Sequence, residues 1–249
     1  MTRKLLAVLI VLVGLLGVVA AGLSTFAAVK DRTVVRLAGP VRSVDIDVEA
    51  GHVDVVAGQA NDATLDRRRQ YIRGAPRISE TLVDGVLRVK AECRRFIEVG
   101  CKVDYRVEVP GAVALQVRTK RGSVAVERMT GMVDVATSAG AVRLTSTRGP
   151  VKATTSAGNI DGTDLVAPFV DATTDAGRIG LRFAEPSGRI GLQADAGTID
   201  VALPNAPGGY RVVTDTGAGK ADVSVPQDPS SGRAVTAKTG AGNIRIHLP

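Results

Sequence analysis

The chain has 249 residues, 45% of them apolar but only 3% aromatic, with no Trp. Its net charge is +7, and the excess is diffuse: residues 30–106 hold 15 basic and 12 acidic side chains, and residues 107–249 hold 15 and 13. A core without aromatics must come from Val, Ile, Leu and Ala, and a surface with neither a basic stripe nor stacking aromatics excludes a nucleic-acid binder.

The chain opens with Arg3 and Lys4, then runs uncharged from Leu5 to Val29 before Lys30, Asp31 and Arg32. Its strictly apolar part, Leu5–Leu23, would span roughly 28 Å as a helix, close to a hydrocarbon core of roughly 30 Å. We read residues 1–4 as a cytoplasmic tail and 5–29 as a transmembrane helix that anchors the chain in the cell membrane, single-pass, with the rest outside. The alternative is a signal peptide cut at Ala20-Ala21-Gly22 or Thr25-Phe26-Ala27, which would release a secreted protein. In either case the bulk of the chain leaves the cytoplasm.

Residues 30–110 read as an irregular β cap. Val44-Asp-Ile-Asp-Val48 alternates strictly, as a half-buried strand does. Thr81-Leu-Val83, Asp84-Gly85 and Val86-Leu-Arg-Val89 spell a hairpin with a two-residue turn. The two cysteines, Cys93 and Cys101, flank the next loop. In an oxidising compartment they pair as a disulfide, since a redox pair would want a closer spacing and a metal site more Cys or His.

From residue 111 to 249 one motif recurs: a small or polar residue, a small residue, Gly, any residue, then two aliphatics separated by one position. Its glycines are 122, 140, 158, 177, 197, 219 and 242, at steps of 18, 18, 19, 20, 22 and 23. Glu49-Ala-Gly51-His-Val-Asp-Val carries the motif once more. After each Gly come pairs such as Val124/Val126, Val142/Leu144, Ile179/Leu181, Ile199/Val201 and Ile244/Ile246. A second apolar pair precedes the next Gly, as in Val133/Val135, Val151/Ala153, Val170/Ala172 and Ile190/Leu192. Two short strands and two corners in about 20 residues describe a coil that cannot fold alone and must stack. The fold class predicted is all-β: a flattened β-solenoid with two strands per coil, behind the N-terminal helix, with a β-sandwich as the alternative. The longer steps fall at Asn205–Gly209 and Pro226–Gly232, read here as turn insertions bulging from one edge. The model predicts that Val142, Ile160, Ile179 and Ile199 form one file.

Chemistry is sparse. Asp175 and Asp195 stand two residues before their glycines and become neighbours if coils stack, with Asp215 close by. Stacked carboxylates repel unless a cation intervenes, so they are weak candidates for a metal site. The competing reading is that Ser138, Ser156, Asp175 and Asp195 open the corner by accepting the Gly N–H two residues on. The histidines, His52 and His247, lie far apart, and no nucleophile elbow, P-loop or HExxH is present. No catalytic residue and no cofactor are assigned. Thr137, Thr154, Thr155, Thr173, Thr174 and Thr214 read as an outward threonine edge, either a hydrogen-bonding face or simply good strand formers.

Val103-Asp-Tyr-Arg-Val-Glu-Val-Pro110, Val117-Arg-Thr-Lys-Arg-Gly-Ser-Val-Ala-Val126 and the recurring Ser/Asp-Ala-Gly-x-Ile-x-Val units resemble the bacterial putative-adhesin domain family, over roughly residues 40–249. The resemblance implies a β-solenoid-like surface domain, often tethered to a membrane, without catalytic residues. It implies a non-enzymatic interaction or scaffold module of the bacterial cell envelope. The partners expected are the membrane, through the N-terminal helix, and an envelope polymer or surface protein. The ectodomain of an envelope stress-sensing system is the second reading, and a polysaccharide-acting enzyme the third.

Overall fold

The computed structural model describes residues 28–72, 74–93 and 100–249, and every regular element among them is a strand. The predicted anchor or signal segment lies outside these residues, apart from its last two positions, of which Val29 already begins a strand. Among the described residues no helix is long and apolar enough to cross a membrane.

The first part of the chain forms β1 (Val29–Leu37), β2 (Ser43–Ala50), β3 (Val53–Gly58), β4 (Ala63–Tyr71), β5 (Arg77–Val83), β6 (Val86–Glu92) and β7 (Lys102–Pro110). The predicted hairpin is β5–β6, paired from Val83↔Val86 to Arg77↔Glu92. Its turn residues Asp84 and Gly85 have φ of 51° and 78°, the left-handed pair that a two-residue connection requires.

The repeats then supply β8 (Ala114–Arg121), β9 (Val124–Glu127), β10 (Val133–Ala139), β11 (Val142–Thr145), β12 (Val151–Ala157), β13 (Ile160–Leu165), β14 (Phe169–Ala176), β15 (Ile179–Phe183), β16 (Arg189–Ala196) and β17 (Ile199–Ala202). The chain ends with β18 (Arg211–Ala218), β19 (Ala221–Val223), β20 (Ala234–Ala241) and β21 (Ile244–His247).

The strands lie in two sheets that enclose one core, and from β6 onward successive strands alternate between them. One sheet runs β1-β4-β7-β3-β9-β11-β13-β15-β17-β21-β19. The other runs β18-β20-β16-β14-β12-β10-β8-β2-β6-β5. Both are mixed: β1, β4 and β5 pair antiparallel, and the repeat strands pair parallel without slippage except at a bulge in β13. Val142, Ile160, Ile179 and Ile199 stand in register on adjacent strands, as predicted. All four are fully buried. Each file forms because alternate residues point inward and equivalent side chains then meet their own kind one strand spacing away, about 4.8 Å.

The corner glycines form a second file, and the reason is a close approach. A Cβ on Gly197 would lie 1.7 Å from the carbonyl oxygen of Gly177, and Gly197 has φ of 154°. Neighbouring units are packed backbone to backbone at this corner, so no side chain fits.

Beside the glycines runs a file of hydroxyls, buried except at the end strand β18. Thr137, Thr155, Thr174, Thr239 and Thr216 donate to the carbonyls of Gly122, Gly140, Gly158, Gly197 and Gly242, at 3.0–3.1 Å. This corrects the outward threonine edge. Thr137, Thr155 and Thr174 point into the core, Thr214 shares an inward row with Ala237, and only Thr154 and Thr173 lie on the outer face. The side chains satisfy carbonyls that the corner leaves without a ladder partner.

The ends depart from chain order. The unit β2–β3 sits between β6–β7 and β8–β9, and the unit β20–β21 sits between β16–β17 and β18–β19. The Asn205–Gly209 segment is therefore a crossing, not a bulge: it carries the chain past the place later filled by β20. Ala206 and Tyr210 are buried by it, and the Tyr210 hydroxyl donates to the Pro204 carbonyl at 2.7 Å. At the opposite end Tyr105 fills the core beneath β4 and β5. Among the described residues the hydrophobic core runs from Val41 to Ile246, with Val35 and Leu37 packed against it, so residues 28–249 enclose a core of their own.

Candidate functional site

What the fold offers to solvent is set by the outward residue between each inward pair. On the first sheet one outward row reads Asp54, Ala125, Arg143, Asp161, Gly180, Asp200, Arg245 and Asp222 across neighbouring strands. Gly180 leaves a gap in that row. The resulting depression is bounded by Asp161, Arg178, Arg182, Asp200 and His247. Asp200 is held from two sides: Arg178 Nη2 donates to its Oδ2 at 2.8 Å, and His247 Nε2 lies 3.1 Å from its Oδ1. Asp200 is thus fixed in orientation by partners on both of its oxygens.

Sequence reasoning missed this cluster. Asp200 and His247 lie 47 positions apart. They meet only because β21, not β19, pairs with β17. A sequence reading that stacks units in chain order would place Asp222 beside Asp200 instead.

Asp175 and Asp195 do fall on neighbouring strands, between the paired positions Thr174↔Ala194 and Ala176↔Ala196, and both are exposed at the corner. Asp215 does not join them: β20 intervenes, and Asp215 pairs in register with Lys238. Among the described residues no group of three or more His, Cys, Asp or Glu is placed to hold a metal ion. The corner-opening reading of these side chains is also corrected. The N–H groups of Gly140, Gly158, Gly177 and Gly197 donate to backbone carbonyls of the next unit, those of Ala157, Ala176, Ala196 and Ala241. The corner is made by the ladder itself.

Cys93 and Cys101 are joined as a disulfide, with Cα atoms 6.0 Å apart. It ties the end of β6 to the start of β7, and is consistent with an extracytoplasmic location.

Among the described residues, the most buried ion pair lies at the end of the molecule nearest residue 28. Arg67 Nη1 donates to Glu80 Oε1 at 2.7 Å, and the Tyr105 hydroxyl donates to the same oxygen at 2.9 Å. This network links β4, β5 and β7 across the two sheets. Burial first, and then the Glu80 carboxylate, push the Tyr105 phenol well above its ordinary range. On the exposed side Arg32 makes two hydrogen bonds to Asp66, at 2.9 and 2.7 Å, which hold the Asp66 carboxyl below its usual value.

No protein-family model matches the chain, and no curated protein matches it. Among solved structures it is similar to a putative cell adhesion protein from Clostridium sporogenes, at 11% identity and a TM-score of 0.41, covering 90% of this chain and 100% of that one. It is also similar to a putative adhesin from Bacteroides fragilis, at 13% identity and a TM-score of 0.43, covering 87% and 97%. A third is a putative lipid binding protein from Parabacteroides distasonis, at 11% identity and a TM-score of 0.42, covering 87% and 96%.

Proposed function

We propose that this protein is a flattened β-solenoid, tethered to the cell membrane by its apolar N-terminal segment and working outside the cytoplasm as a non-enzymatic, adhesin-like interaction or scaffold module. The observation that carries the reading is the pair of long sheet faces, whose backbone is held in register by files of buried Val, Ile and Ala while the outward positions vary freely in charge and size. Such a face presents a broad, rigid array of hydrogen-bonding side chains at strand-spacing intervals, which suits an extended polymer or a flat protein surface better than a small molecule. The disulfide between Cys93 and Cys101 supports an oxidising location.

The test is sedimentation of residues 28–249 with insoluble cell-envelope polymer. Saturable retention is expected, weakened at least about tenfold when Arg178 and Arg182 beside the Gly180 depression are both changed to Ala. No retention above that of an unrelated β protein would overturn the reading.

A further inference from the structure

The charge of the described strands is concentrated at the end where the apolar segment enters. β1, β4 and β7 together carry eight basic and four acidic side chains. Their pairing sorts these into outward rows: Lys30–Gln70–Lys102, then Arg32–Arg68–Asp104, then Val34–Asp66–Arg106 and Arg36–Thr64–Glu108. The two rows nearest residue 28 thus hold four cations and one carboxylate, Asp104, which pairs with Lys102 at 3.0 Å; Asp31, at the same end, is taken up by Arg69 at 2.8 Å, and Asp66 and Glu108 lie farther along the strands. Arg32 and Arg68 stand directly opposite each other with side chains 60% and 64% exposed. Like charges on facing strands are unfavourable unless an anion lies over them. Asp66 relieves this only from one side, at 2.7 Å from Arg32 and 4.0 Å from Arg68. Val29, at the start of the same rim, is 45% exposed.

We propose that this rim, Lys30, Arg32, Arg68 and Lys102, is a docking surface for the anionic headgroups of the membrane that holds the apolar segment, so that the molecule stands with this end seated on the bilayer. The proposal rests on the tether reading for its geometry. From Leu23 to Val29 the chain reaches at most about 21 Å, which confines the rim near the surface and gives its charges a high effective concentration of lipid phosphate. Each basic side chain near an anionic surface contributes about fivefold in binding, and the attraction is screened over about 8 Å at physiological salt.

The experiment is vesicle flotation of residues 28–249, with far-UV circular dichroism confirming that each variant is folded. Vesicles containing phosphatidylglycerol are expected to carry the protein at low salt, and phosphatidylcholine vesicles are not. The double variant Lys30→Gln, Arg68→Gln should weaken binding by about 25-fold. Arg211→Gln with Lys238→Gln, at the far end, should leave it unchanged. The proposal is overturned if both vesicle types bind alike, if the far-end pair weakens binding as much as the rim pair, or if the protein binds immobilised polyphosphate but not phosphatidylglycerol vesicles. A separate arm reconstitutes the full chain in phosphatidylcholine vesicles and washes them at alkaline pH. Release there overturns the tether and leaves the flotation result to judge the rim.

Discussion

At the scale of single residues, the corner is where identity is least negotiable. Glycine is required because the carbonyl of the preceding unit occupies the place of a Cβ, as at Gly177 and Gly197. The neighbouring hydroxyl file is interrupted at β16. Ala194 stands between Thr174 and Thr239 in register and is 1% exposed. Its neighbours donate to Gly158 and Gly197, and the carbonyl of Gly177 between them receives no hydroxyl. Ala194→Thr supplies that donor in a position whose shape the adjacent threonines already define. It is expected to stabilise the protein by about 1 kcal/mol, the net worth of one hydrogen bond, and to raise the melting temperature by about 2–4 °C. A lower melting temperature would mean that the extra methyl overpacks the corner.

At the scale of the element, the exchanged order of the end units has an electrostatic logic. Arg245 lies between Asp200 and Asp222 in the outward row. In chain order β17 would sit beside β19, and those two carboxylates would be direct neighbours. At the other end Asp47 lies between Lys90 and Arg118, where chain order would have set the two bases side by side. Each exchange places a charge between two of the opposite sign, and facing pairs of this kind are worth roughly 0.2–1 kcal/mol each. Arg245→Glu puts three carboxylates in a row on β17, β21 and β19. It should cost about 1–2 kcal/mol in urea unfolding at low ionic strength, with most of the loss recovered in 1 M salt. A loss that salt does not relieve would indicate a packing role instead.

At the scale of the whole molecule, the two ends of the core must be closed, since an open layer of aliphatic side chains would face water. Tyr105, one of the largest fully buried side chains, helps to close the end beneath β4 and β5. Tyr105 does so together with the Arg67–Glu80 pair. Its folded pKa is raised above the ordinary value of 10.0. The unfolded chain therefore ionises first, and the stabilisation is full below pH 10 and falls as pH rises beyond it. Wild-type stability should drop more steeply between pH 9.5 and about 11.5 than that of Tyr105→Phe, measured as urea midpoints across that range. Parallel slopes would show that Tyr105 does not govern the alkaline limb. At neutral pH, Tyr105→Phe should be less stable by about 1 kcal/mol, because Glu80 loses a donor while the ring remains.

Sequence alone determined the unit. The spacing of Val142, Leu144 and their counterparts, the corner glycines and the Asp84-Gly85 turn are each decided by local geometry: side-chain alternation, a carbonyl in the place of a Cβ, and positive φ. The files followed because near-identical units can satisfy their backbones only by stacking on one another. The threonine file was misread because a hydroxyl at an inward position looks polar until the carbonyl that receives it is in place. Tertiary structure alone decided which unit lies beside which. The local pattern of a unit does not say which unit it pairs with, and the crossings at the two ends let β2–β3 and β20–β21 insert between other units. The Asp200–His247 depression and the basic rim exist only through those pairings, between residues far apart in the chain.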